Sequence, residues 1–198
     1  MTSSPKQLSL LEEQRLVLHN ISWQQYQNLL ATFQEQAGLK LTYYDGILEL
    51  LMPSAEHERI KKIIARLLER YAEEMDIVLY GYGSTTFRKQ GEASGLEPDE
   101  CYCIDTWKDI PDFAIEVHLT SGNINKLKVY QALGIPEVLI WHNHQLILYD
   151  LRGESYTQIQ QSQFFPKLDW QLLAKYISPE EQPQAVKAFL HELRSQSN

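Results

Sequence analysis

Cysteine is nearly absent from this chain of 198 residues. The two present, Cys101 and Cys103, lie too close together to form an ordinary staple, which excludes a disulfide framework and makes a reducing cytoplasm the expected setting. Long apolar runs are missing too. No stretch approaches the roughly 20 apolar residues of a membrane span. The first residues, MTSSPKQLSLLEEQRLVLHN, lack the basic head and apolar run of a signal peptide, so a soluble protein without a membrane partner is expected. Basic residues are in the minority, Lys+Arg 18 against Asp+Glu 26 for a net charge of −8, which argues against a protein that holds nucleic acid by bulk charge. It leaves room for an enzyme with a local basic surface, or for a carboxylate site that attracts phosphate once it holds a divalent cation. Repeats and low-complexity linkers are also lacking, and the length suits one hydrophobic core, so one domain over 1–198 is expected.

What is present has clear periodicity. Residues 1–20 are polar and mixed and read as a loose arm. Ser22 is placed to cap a helix to about residue 36, with Trp23, Tyr26, Leu29, Leu30 and Phe33 at helical spacing. Residues 40–44 and 47–52 read as strands joined by an Asp45-Gly46 turn. From Ser54 an apolar stripe of Ile60, Ile63, Ile64, Leu67, Leu68 and Tyr71 defines the clearest helix. Strand-like segments follow at 77–80, 84–88, 97–104 and 112–118. A helix over 124–133, stopped by Gly134, leads to strands at 137–141 and 145–151, with Asn143 and His144 at the turn. Residues 156–160 suit an edge strand, and 169–176 and 180–194 look helical. The whole predicts an α/β fold with a mixed central sheet flanked by helices.

The segments GLEPDECYCI and PDFAIEV each put a carboxylate, Asp99 and Glu116, on a strand among apolar and aromatic neighbours. An unpartnered buried carboxylate costs several kcal/mol, so such acids are paired, hydrogen-bonded or bound to a metal. Two of them on neighbouring strands would give oxygen ligands for Mg²⁺ or Mn²⁺, an arrangement that can activate water against a phosphodiester. Lys126, in the first turn of the following helix, can reach back to supply a cation. His118, two residues after Glu116 and so on the same strand face, is its competitor.

The run from LTYYDGILELLMPSAEHERI through GSTTFRKQGEASGLEPDECYCI and PDFAIEV to NKLKVYQALGIPEVLIW, roughly residues 40–151, resembles the Uma-type restriction endonucleases of the PD-(D/E)XK nuclease superfamily. The resemblance implies a restriction-endonuclease-like core, cleavage of DNA, a divalent metal and a homodimer. It makes Asp99 and Glu116 the metal carboxylates and Lys126 the catalytic lysine. It also implies lesser site positions at His57 and Glu58, with Glu49 a similar case. The departure from the superfamily pattern is His118, where a lysine is usual.

Plainer readings stand beside these. Glu56 and Glu58 suit a helix N-terminus without any chemistry. Asp112, after Pro111, marks the start of a strand. Zinc at Cys101, Cys103, His142 and His144 is disfavoured by the narrow cysteine spacing. GYGST lacks the arrangement of a phosphate loop. Arg59, Lys61, Lys62, Arg66 and Arg70 against Glu69 give a local +4, usually a solvated face. Rival functions are a silent nuclease-fold module for nucleic-acid binding or assembly, and a metal-dependent phosphohydrolase acting on another substrate.

Overall fold

The computed structural model describes residues 12–33, 36–119 and 124–196. In chain order the elements are β1 (Gln14–Leu18), α1 (Trp23–Phe33), β2 (Lys40–Tyr44), β3 (Ile47–Met52), α2 (Ala55–Glu74), β4 (Leu79–Gly81), β5 (Phe87–Lys89), β6 (Ser94–Leu96), β7 (Glu100–Ile104), β8 (Phe113–His118), α3 (Lys126–Leu133), β9 (Glu137–His142), β10 (Gln145–Arg152), β11 (Ser155–Ile159), α4 (Trp170–Lys175) and α5 (Gln182–Gln196). No described helix is long and apolar enough to cross a membrane.

Among the described residues the strands form two sheets. One is antiparallel with order β1-β3-β2-β6-β5; the other is mixed with order β11-β10-β9-β8-β7-β4. The expected mixed sheet is the second, and its parallel pair is β8 with β9. A parallel pair needs a crossover, and α3 supplies it.

Local chemistry explains most boundaries. Asp45 and Gly46 both take positive φ, 45° and 81°, the twist that a two-residue hairpin turn requires between β2 and β3. Ser22 Oγ accepts from Gln25 N while Gln25 Oε1 accepts from Ser22 N, a reciprocal cap that starts α1. Ser54 Oγ accepts from His57 N at 3.1 Å and starts α2. Gly134, at φ 81°, ends α3.

Four expectations need correction. Residues 14–18, assigned to a loose arm, form β1 and pair with β3; the rest of that arm up to residue 11 lies outside the described residues. The strand expected over 97–104 is shorter, β7 over Glu100–Ile104, and β6 just before it, Ser94–Leu96, belongs to the other sheet. Pro98 between them has no N–H for a ladder bond, and the chain changes sheets there. The segments at 77–80 and 84–88 are shorter than expected and displaced toward Gly81 and Lys89. α1 is described over Trp23–Phe33, and Gln36, expected as its end, is already outside it.

Alternation along the strands divides the interior. Phe113, Ile115 and Val117 of β8 and Leu139 and Trp141 of β9 pack with the stripe of α2 and with α4 and α5. Ala114 of β8 and Val138 and Ile140 of β9 face the other way, toward α3 and toward Phe87 and Leu96 of the antiparallel sheet. That sheet covers its outer face with α1, packing Tyr26 against Leu41, Tyr43 and Leu48. Tyr26 is fully buried and stacked on Tyr43 with ring centroids 4.8 Å apart.

Gly95 of β6, paired with Tyr43, is where this packing leaves no room: a Cβ there would overlap the Tyr26 hydroxyl and come 3.0 Å from Cζ. Gly95→Ala therefore displaces Tyr26 and costs about 1–3 kcal/mol, the usual penalty of overpacking. Urea denaturation measures it, and an unchanged midpoint would show that the ring yields freely.

Candidate active site

The parity that sends Val117 toward α2 sends Glu116 and His118 of β8 to the opposite face. Asp99 immediately precedes β7. Extending the β7–β8 register from Cys101↔Ala114 and Glu100↔Ile115 by one step puts Asp99 opposite Glu116. Both are 0% exposed. On the antiparallel sheet the same alternation turns Leu41 and Tyr43 toward α1, so Lys40 and Thr42 of β2 face inward, as does Glu49 of β3. The two sheets thus deliver polar side chains into one space between them.

Every oxygen of the facing pair has a donor. Asp99 Oδ1 accepts from Lys40 Nζ at 2.6 Å and stands 3.0 Å from His57 Nε2; its Oδ2 accepts from Val117 N at 2.7 Å. Glu116 Oε2 accepts from Lys126 Nζ at 2.5 Å, and its Oε1 from the Tyr130 hydroxyl, one helical turn further along α3. A second layer continues the chain of charges. His57 Nδ1 is 3.1 Å from Glu13 Oε2, Arg15 lies 2.9 Å from Glu13 Oε1 and 2.8 Å from Glu49 Oε2. Glu49 is 1% exposed, and its Oε1 takes no hydrogen bond among the described residues.

The electrostatics follow from burial set against pairing. Burial works against the charge on Asp99, but Lys40 and then His57 outweigh it and hold the carboxyl well below its ordinary range. Burial likewise opposes the ammoniums of Lys40 and Lys126, and the facing carboxylates raise both. For His57 burial is overcome by hydrogen bonds to Asp99 and Glu13, which lift it to about 9, so the ring is an imidazolium at neutral pH. His118 goes the other way. Burial and then the Lys126 charge push it down to about 4, so it is neutral. Burial and Glu116 keep the Tyr130 phenol protonated.

Asp99, Glu116 and Lys126 are therefore brought together, with His57 and Glu49 around them and His118 beside Lys126 on a small cavity of about 190 Å³. Glu58 is not part of the group: it is 47% exposed and pairs with Lys61 at 2.5 Å on the surface of α2. The basic face of α2 is occupied in part, Arg59 by Glu180, Arg66 by Gln182 and Arg70 by Glu73. Cys101 and Cys103 are buried thiols that donate to the carbonyls of Gly83 and Lys108. Asp112 accepts from Ile104 N and Lys108 Nζ, a structural role. Among the described residues no three His, Cys, Asp or Glu side chains form a ready-made metal cage.

Four members were not legible as site residues. Glu13 and Arg15 sit in the supposed arm. Tyr130 shares a helix face with Lys126, a spacing that could have been noticed. Lys40 had one signal, a lysine opening a strand of Leu41, Thr42, Tyr43 and Tyr44.

The His57 contacts generate a pH dependence. Its folded value of about 9 lies above the ordinary 6.5. The stabilisation from its charged ring is thus fully present below about pH 6.5 and is lost as pH rises through about 9, up to roughly 3 kcal/mol in all. Denaturation midpoints between pH 6 and 10 should fall for the parent and stay flatter for His57→Gln. An NMR titration of the ring placing its midpoint near 6.5 would contradict this.

Among protein families the chain matches Uma2, described as "Putative restriction endonuclease", over residues 23–177. No curated protein matches it. The matched stretch holds Lys40, Glu49, His57, Asp99, Glu116, His118, Lys126 and Tyr130; Glu13 and Arg15 precede it. With more than half of its length matched and two sheets flanked by helices, one of them mixed, the chain belongs to the Uma2 family of the restriction-endonuclease-like superfamily.

Proposed function

We propose that the chain is a divalent-metal-dependent DNA endonuclease in which Asp99 and Glu116 hold Mg²⁺ or Mn²⁺ and Lys126 is the catalytic cation. The observation that carries this reading is a pair of fully buried carboxylates facing each other across β7 and β8, with Lys126 on one of them. The donors fit the ion. They are hard oxygens, and Mg²⁺ is usually held by one or two carboxylates with water filling its remaining positions, so a cage of three protein ligands is not required. Glu49 Oε1, buried and without a hydrogen bond among the described residues, is a further oxygen at hand. The bound ion would supply charge stabilisation on the phosphodiester and a more acidic water.

The chain's own residues do the remaining work. Lys126 is held protonated and fixed on Glu116, so a positive charge is already oriented where negative charge develops on a phosphate. Tyr130 donates to the other Glu116 oxygen and fixes the carboxylate plane. His118, neutral at pH 7, cannot provide the cation, which favours Lys126 over it; His118 remains able to accept a proton. Cutting both strands of a duplex takes two such sites, which a homodimer would provide, and two free thiols suit a reducing cytoplasm.

A second reading has an observation behind it. Because Asp99 and Glu116 already have a protein donor on each oxygen, the same geometry would serve a silent nuclease-fold module whose cluster only stabilises the fold.

Incubation with plasmid DNA, RNA and nucleotides in Mg²⁺ or Mn²⁺ separates the readings. The parent should cleave DNA, and folded Asp99→Asn, Glu116→Gln and Lys126→Met variants should lose on the order of 10²-fold or more. His118→Ala should retain most of the rate. Cleavage by the carboxylate variants equal to the parent's would sink the endonuclease reading. A folded parent that neither cleaves nor binds Mn²⁺ would favour the silent module.

A further inference from the structure

In the cluster between the sheets each acid stands against a base. Asp99, Glu116, Glu49 and Glu13 are paired with Lys40, Lys126, Arg15 and His57. A divalent ion adds two positive charges to a space where each carboxylate of the facing pair already holds a cation. One of the resident cations has to yield, and they are not equally able to. His57 has no exposed surface and is gripped between Glu13 and Asp99. Arg15 is held between two carboxylates, Glu13 and Glu49. Lys126 is on Glu116, and the proposed function keeps it there as the catalytic cation.

Lys40 differs from all three. It reaches Asp99 from the other sheet on a four-carbon stem. Among the described residues its other hydrogen bond is to the Pro98 carbonyl at 3.1 Å, an oxygen that water can replace. The half-buried Glu97, two residues before Asp99, is close enough to feel its charge and offers a second carboxylate to move toward.

We infer that Lys40 is an internal competitor of the metal: its ammonium occupies the cation position on Asp99 in the metal-free protein and is displaced when the ion binds. The inference rests on Asp99 and Glu116 being the metal carboxylates and adds a determinant of affinity to that reading. Lys40 acts through Asp99, as a positioning residue. Its presence keeps Asp99 ordered without metal and weakens metal affinity below what the same carboxylates would otherwise give.

The test is Mn²⁺ binding, without substrate, followed by electron paramagnetic resonance and calorimetry on the full chain. Lys40→Gln should bind Mn²⁺ roughly tenfold more tightly than the parent, in the range typical of coupled sites. A second measurement uses the parent alone and does not depend on the variant folding. The extent of Lys40 acylation by an amine reagent, read by mass spectrometry, should rise several-fold when Mn²⁺ is saturating. Equal or weaker Mn²⁺ binding by folded Lys40→Gln, or Lys40 as protected with Mn²⁺ as without it, overturns the inference and leaves the metal reading standing. No Mn²⁺ binding by parent or variant overturns the metal reading itself, and this inference with it.

Discussion

Two carboxylates with no exposed surface set the terms for everything around them. An ionised carboxylate taken out of water costs several kcal/mol unless charge and hydrogen bonds replace its hydration. For Asp99 and Glu116 the replacements come from four elements: Lys40 of β2, His57 of α2, the Val117 amide of β8, and Lys126 with Tyr130 of α3. Donors drawn from both sheets and two helices tie those elements to one point. A shift of any of them leaves a buried charge without its partner, so the cluster constrains the fold as strongly as the apolar packing does. The Ser54 cap belongs to the same constraint, because the amide it accepts from is that of His57.

Apolar packing and polar cluster are two faces of the same strands. β8 gives Phe113, Ile115 and Val117 to the layer of α2, α4 and α5, and Ala114, Glu116 and His118 to the layer of α3 and the second sheet. A slip of one residue in the β7–β8 register would put Glu116 among Leu67, Leu68 and Phe165 and expel Ile115. On α2, His57 lies on the face of Ile60 and Ile64 at the top of the apolar stripe, so the packing that seats the helix also aims the ring at Asp99.

What the sequence revealed and what it concealed divide along the range of the interactions. The hairpin at Asp45-Gly46, the cap at Ser22 and the stripe of α2 are set by neighbours a few residues apart, and all three are legible in the sequence. Asp99 and Glu116 stood out because an acid on an apolar strand is costly anywhere. The division into two sheets was hidden, since nothing local says that the chain leaves one sheet at Leu96 and joins another at Glu100, apart from Pro98. β1 was hidden for a related reason: its five residues show no alternation, and only pairing to β3 orders them. Lys40 and Glu49 depend on that sheet assignment, so their convergence on Asp99 could not be seen from spacing, and Glu58, one residue from His57, points to solvent instead.

The matching of acids and bases in the cluster also bears on how a chain of net charge −8 would meet a polyanion. If the site sums to zero, the excess acid lies elsewhere, and the protein offers phosphate no long-range attraction of its own. On the basic face of α2 the charges of Arg59 and Arg70 are offset by Glu180 and Glu73. Under the proposed reading the attraction has to arrive with the divalent ion, whose charge is uncompensated once Lys40 has moved aside. Metal and DNA then favour each other's binding by the same factor, as linkage requires. An acidic protein in this state would be insensitive to nucleic acid until metal is present, and the cation that delays the metal, Lys40, would delay the substrate equally.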